Sequence, residues 1–346
     1  MSLFKFFSCC LPSRQSRRNP VLDSPTSKIR DVFLMDMPDL VMREILKNLD
    51  FLSIQQLRKT CYSLREFIDY VKVDSGLKDF EIEITRGTIL GSATVLMKGY
   101  PSSETIKSAY IESEDWCEVI TSNGNILKIN GNFVDVYSED FLTPMLKNQK
   151  SLLTTLKWGR GDTLVPGLFE KVFDCLIKVL KLKDHLLQIE DLEIYVLGQD
   201  QLMQLLYHID LKSLKRLEVR RLVENDPKDN DELWLDLRIL ERAENLIELR
   251  VINFTIFSSL RCIAHVPKLR VDMLTIHCDD VLKYHETLRT SNFLPKSSVY
   301  YQHFPDKRRF KNTLGPSDRR FYYPISGTIL LSHYPSSKRM FWGPIH

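Results

Sequence analysis

The densest group of chemically capable side chains in this sequence is His277-Cys278-Asp279-Asp280. Imidazole, thiolate and carboxylate together are the donors of a divalent-metal site or of a nucleophile–base pair. Their placement argues against both. His277 and Cys278 follow directly on a strand pattern, so their side chains point to opposite faces. Asp279 and Asp280 stand where the next helix begins, and acids there favour the helix dipole. No other stretch does better. The sequence has no G-x-S-x-G, no G-x-x-x-x-G-K-[ST], no G-x-G-x-x-G and no H-E-x-x-H. The polar stretch 224–232 carries acids without the spacing of a calcium loop. Arg160-Gly161-Asp162 is a three-residue coincidence, and Cys61 lies on an apolar helix face, as a small packing residue does. The expectation is therefore a chain with no catalytic residue, no metal site and no cofactor.

Composition narrows the remaining classes. The 346 residues carry 48 Lys and Arg against 45 Asp and Glu, a net charge of +3. That balance gives no concentrated basic face for nucleic acid. Seven scattered cysteines without a C-x-x-C pair form neither a disulfide framework nor a zinc pattern. They suit a reducing compartment, cytoplasm or nucleus. No stretch of 18 apolar residues exists, so no transmembrane helix is expected. The start, MSLFKFFSCCLP, is too short and too interrupted for a signal peptide; Cys9 and Cys10 beside aromatic residues are candidate palmitoylation sites. Residues 1–31 read as a flexible arm.

What remains is binding, and residues 37–70 show it most clearly. Three short helices are expected there. Pro38 opens the first, with Leu40, Val41, Ile45 and Leu49 at helical spacing. Ser53 with Gln56 and Ser63 with Glu66 read as capping boxes for the second and third. So few residues hide little apolar surface by themselves, and this stretch has one cysteine and no histidine to staple it. A partner is implied.

The order Met37-Pro38, Val41, Ile45-Leu46, Leu49, Ile54, Leu57-Arg58, Cys61 and Arg65 resembles an F-box. It departs from the family pattern at Met37, Thr60 and Leu64, of which the first and last keep an apolar group. The resemblance implies a Skp adaptor as partner and, through it, a cullin-based (SCF) ubiquitin ligase. It also implies Met37, Pro38, Val41, Ile45, Leu46, Leu49, Ile54, Leu57 and Cys61 as adaptor-binding residues.

Beyond the F-box (32–75), residues 76–140 form a strand-rich connector. Phe80, Ile82 and Ile84 alternate with Glu81 and Glu83, and Asn123-Gly124 and Asn130-Gly131 mark turns, the latter before an extended Phe133-Val134-Val136. Then a frame, apolar-x-x-Leu-x-β-branched, repeats at Ile189/Leu192/Ile194, Leu214/Leu217/Val219, Leu246/Leu249/Val251 and Val271/Leu274/Ile276, with a weaker copy at Leu153/Leu156/Trp158. Helices are expected after each, around 167–182, 200–208, 232–243, 256–264 and 279–290. A 20–29-residue period of this kind is the leucine-rich-repeat signature, although the consensus Asn is missing. The fold class expected is mixed α/β: a three-helix F-box, a strand-rich connector and a leucine-rich-repeat-like β/α solenoid.

The whole arrangement, with Phe141, Leu146, Gln149-Lys150 and Leu153, resembles the nematode F-box proteins that carry an FTH domain (also called DUF38), here over 141–290. The aromatic-rich 291–346 is expected to cap the solenoid. The family implies a substrate adaptor with a protein target held away from the F-box; the alternative is a scaffold that holds the Skp adaptor outside a ligase. Strand positions between the frame residues are the candidate target face: Glu193, Tyr195, Glu218, Arg220, Arg250, Ile252, Thr275 and His277.

Overall fold

The computed structural model describes residues 37–58, 60–97, 102–160, 166–222, 233–290, 296–314, 322–324 and 329–344. The N-terminal arm with Cys9 and Cys10, and the polar loop 224–232, lie outside them.

The chain begins with α1 (Asp39–Asn48), α2 (Phe51–Leu57) and α3 (Tyr62–Val71). Neither expected capping box forms. Asp50 caps α2 instead, accepting from Ser53 N at 2.8 Å, so the helix starts three residues earlier than a Ser53 cap implies. Cys61 stands at the N-cap of α3 and gives no side-chain bond. Met42, Leu46, Ile54, Leu64 and Ile68 make a small core of their own, with Met37, Leu49 and Leu57 packed on its edge. Arg58 bridges to Asp69 at 2.7 Å and fixes α2 against α3.

An antiparallel meander follows: β1 (Leu77–Thr85), β2 (Thr88–Leu96), β3 (Ser103–Glu112), β4 (Cys117–Thr121) and β5 (Ile126–Ile129). Gly124, at φ +77°, makes the turn between the last two. The expected strand at 133–136 is a helix. Asn132 caps it, accepting from Val134 N at 2.9 Å, and α4 (Phe133–Tyr137) runs through a π-helical turn into α5 (Thr143–Leu146). Phe133, Tyr137 and Phe141 fall at helical spacing and pack on the meander, where Tyr110 meets Tyr137 edge-on at 5.5 Å.

The parallel strands come next: β6 (Leu153–Arg160), then α6 (Pro166–Lys181), β7 (Ile189–Val196), α7 (Gln199–Leu206), β8 (Arg216–Arg221), the two-residue β9 (Trp234–Leu235), β10 (Glu248–Ile256), β11 (Lys268–Thr275), α8 (Cys278–Thr290) and β12 (Ser297–His303). The main strands from β6 to β12 lie side by side in chain order. After α9 (Lys307–Leu314), β13 (Tyr322–Pro324), β14 (Ile329–Tyr334) and β15 (Arg339–Pro344) add an antiparallel edge to β12. The meander is joined to the parallel part through β1 and β6, so one fifteen-stranded sheet runs the length of the described protein. It is a mixed α/β fold.

One face of this sheet is buried. Leu156, Leu192, Leu217, Leu249 and Leu269 are paired across neighbouring strands and none is more than 2% exposed. That pairing corrects the fourth repeat. Leu249 faces Leu269, not Leu274, so the frame there is Val266/Leu269/Val271. The cause is a shorter unit. Where α-helices are expected at 232–243 and 256–264, the chain makes single 3-10 turns, Arg238–Arg242 and Leu260–Ile263. A 3-10 turn uses fewer residues, and the following strand starts sooner.

Trp158 shows how tightly the helices sit. Phe173 of α6 meets its ring edge-on at 6.4 Å, and Phe169 presses on the neighbouring Gly159. Gly159 has φ +85°, and a Cβ there would stand 2.6 Å from the Phe169 ring. Gly159→Ala is therefore expected to cost at least about 2 kcal/mol, read as a lower urea midpoint with an unchanged slope.

Candidate functional site

The three N-terminal helices are held to the sheet by a buried polar junction. Gln149 is wholly buried. Its Oε1 accepts from Leu77 N at 2.9 Å, and its Nε2 donates to Leu77 O at 3.1 Å and Ser151 O at 2.9 Å. Asp74, just past α3, accepts from Lys150 N at 2.8 Å and Ser151 N at 3.1 Å. Lys72 at the end of α3 pairs with Asp184 at 3.2 Å. Lys183 Nζ donates to Leu146 O and Gln149 O. Phe51 of α2 adds an apolar contact, since it belongs to the main core and not to the helices' own.

Burial drives the Lys183 amine down to about 8 from its ordinary 10.5, against the pull of Asp74 and Asp184. Between these two pH values the unfolded chain binds more protons than the folded one, so this group adds stability as pH rises. The buried tyrosines work the other way at higher pH, since burial raises the pKa of Tyr137 and Tyr284. The prediction is therefore a difference: urea stability of the wild type minus that of Lys183→Met increases from pH 8 to pH 10.

The expected adaptor face divides in two. Leu46 and Ile54 are 1% and 3% exposed and lie inside the helices' own core, so they have no surface to offer. Helical spacing does not separate the stripe that faces inward from the one that faces out, which is why both entered the expectation. Met37, Leu49 and Leu57 are half-buried on the core's rim. Pro38, Val41 and Cys61 are exposed, and Ile45 is partly so. Leu40, at 76% exposure, joins Val41 and Ile45 on the outer side of α1 as a large apolar side chain. Tyr62 and Tyr70 are also 70% exposed.

The family comparisons fit this geometry. The F-box domain matches residues 34–75, and the FTH domain matches residues 170–316. The chain is an F-box protein with an FTH domain. The F-box match covers α1 to α3 and the Asp74 linkage; the FTH match runs from within α6 past α9. No curated protein and no solved structure matches the chain. An F-box implies a Skp-binding adaptor role in SCF-type complexes. Among the described residues no helix is long and apolar enough to cross a membrane, and no three His, Cys, Asp or Glu gather as they would for a metal ion.

On the sheet's open face, most of the expected target residues stand together. Glu193 of β7 lies beside Glu218 of β8, which lies beside Arg250 of β10. Tyr195, Arg220 and Ile252 form the next row. Arg220 pairs with Glu218 and reaches Glu193 at 3.5 Å, and its guanidinium stands over Tyr195 at 5.7 Å. Thr275 and His277 are not part of this face. The corrected frame puts Arg270 and Asp272 there instead. Thr275 ends β11, and His277 sits beyond it beside Asp306 at 3.2 Å. Cys278 is buried while His277 is exposed, the opposed directions expected of them.

Proposed function

We propose that this F-box protein is the substrate-recognition subunit of an SCF-type cullin ubiquitin ligase. The observation that carries the reading is the outer side of α1: Leu40, Val41 and Ile45 lie outside the F-box's own core, inside the matched domain. Burying that side in a Skp adaptor supplies the apolar area that so small a helical unit lacks. The adaptor-binding set is then Met37, Pro38, Leu40, Val41, Ile45, Leu49, Leu57 and Cys61, with Leu46 and Ile54 holding the helices in shape from within.

The FTH region is the target-holding half, and we read it as a leucine-rich-repeat-like solenoid. Six parallel strands in chain order, carrying one apolar frame, support that reading. The antiparallel strands β14 and β15 are read as closing its far end, where Trp342 is buried against Tyr284 at 4.9 Å. The protein's work is geometric: it fixes a target near the ubiquitin-charged enzyme of the complex and raises the local concentration of target lysines. Cytoplasm or nucleus is the expected location. Co-expression with a Skp adaptor and a cullin tests the reading. Adaptor without cullin in the purified complex would favour a scaffold outside the ligase.

A further inference from the structure

Charge on the open face of the sheet changes character along its length. From β7 to β10 every row is neutralised. Lys215 pairs with Glu190 at 2.9 Å, Arg216 with Asp191, Arg220 with Glu218, and Arg250 with Glu248 at 2.6 Å. Past β10 the acids thin out, with Asp272 of β11 next along the strand from Arg270. Lys268 and Arg270 of β11, Lys296 before β12 and Arg339 of β15 line a groove of about 450 Å³ with Arg250, and Glu248 is its one carboxylate. Among the described residues Lys268, Arg270, Lys296 and Arg339 form no ion pair. Tyr300 and Phe341 supply aromatic surface, and the Arg339 guanidinium stands 5.2 and 5.3 Å from their ring centres. Arg339 Nη2 donates to Ser298 Oγ at 2.8 Å, while its buried Nε has no hydrogen-bond partner.

We propose that this groove binds a short acidic peptide segment, one bearing closely spaced Asp or Glu carboxylates, of the protein that the FTH domain holds. The inference rests on the reading of the FTH region as the target-holding half. With Arg250 taken up by Glu248 and Glu218, four cations are left as a local excess of positive charge that a carboxylate pair neutralises. The volume suits a few side chains of an extended segment. The aromatic rings give such a segment apolar contact between its charges. A nucleic acid fits worse, because its backbone needs a continuous basic track. Here the track ends at β10, where Arg220 and Arg250 are already paired with Glu193, Glu218 and Glu248.

The test uses the full chain co-purified with its Skp adaptor. A fluorescein-labelled peptide, Gly-Glu-Tyr-Glu-Glu-Tyr-Glu-Gly, is titrated at low salt beside its Gln-for-Glu counterpart, and fluorescence polarisation is read. The Glu peptide is expected to bind at least about tenfold more tightly, and to lose that advantage in the Lys268→Ala/Arg270→Ala variant and as salt is raised. Both lysine and arginine there are surface residues, and an unchanged circular dichroism spectrum shows that the fold survives. Lys296→Glu, changed alone, is expected to weaken binding in the same direction. Equal affinity for the Glu and Gln peptides overturns the proposal, as does tighter binding of a single-stranded oligonucleotide than of the Glu peptide. Retention of the adaptor is read on the same sample. Adaptor kept without preference for Glu defeats the groove alone; Glu preference without adaptor supports the groove and defeats the ligase reading.

Discussion

Ile45→Asp is expected to weaken binding to the Skp adaptor by at least about 3 kcal/mol, more than about a hundredfold in Kd, while the protein stays folded. The argument is local. Ile45 lies one helical turn from Val41 on α1, and it is not among the residues of the F-box core. That core is made by Met42 and Leu46 on the adjoining stripe, which are 2% and 1% exposed. A carboxylate at 45 in the free protein therefore reaches water. In the complex it would sit in an apolar contact with no partner, and desolvating it costs what the contact otherwise gains. Leu46 is the wrong probe, since any truncation there lowers stability before it touches binding. Isothermal titration against the purified adaptor, with a thermal unfolding curve for each protein, reads both quantities.

Gln149→Leu should have the largest effect on stability, about 3–4 kcal/mol. Leucine has similar volume, so no cavity opens. The loss is polar. Leu77 N and O at the start of β1 lose both partners in a site without solvent, and each orphaned group costs about 1–3 kcal/mol. Ser151 O loses a third contact. Because Gln149 O also accepts from Lys183, the backbone of the junction keeps part of its order, which holds the figure below a simple sum. The functional consequence is specific. None of the Gln149 bonds reaches α1 to α3, so a surviving population is expected to bind the adaptor normally. Chemical denaturation gives the stability. Adaptor affinity within about twofold of wild type would show that the F-box core is independent of the junction.

The sequence makes the F-box legible because its helices are short, locally coded and carry an ordered set of apolar positions. It does not say which stripe faces inward; that depends on how α2 and α3 fold back, and Arg58 with Asp69 settles it through space. The parallel strands are legible from the Leu frame, including the weak copy at Leu153, which pairs in register with Ile189. The fourth copy is not, because two units replace a helix by a 3-10 turn and no residue pattern marks the shortening. Asn253, at φ +62°, sits at the register shift between β10 and β11, and no residue pattern there marks it. Phe133 to Val136 reads as a strand by composition and folds as a helix through the Asn132 cap and the ring stack above it. The junction could not be foreseen, since Leu77 and Gln149 are 72 residues apart. The basic groove likewise depends on β15 returning to pair with β12.

The most direct test of the ligase reading is reconstitution of the complex. The full chain is co-expressed with a Skp adaptor and a cullin, purified through a tag on the chain, and its components are counted by size-exclusion chromatography with light scattering. The account predicts one species containing all three proteins in equal amounts, absent for Ile45→Asp although that variant is folded. A folded wild-type chain that elutes without the adaptor would contradict it.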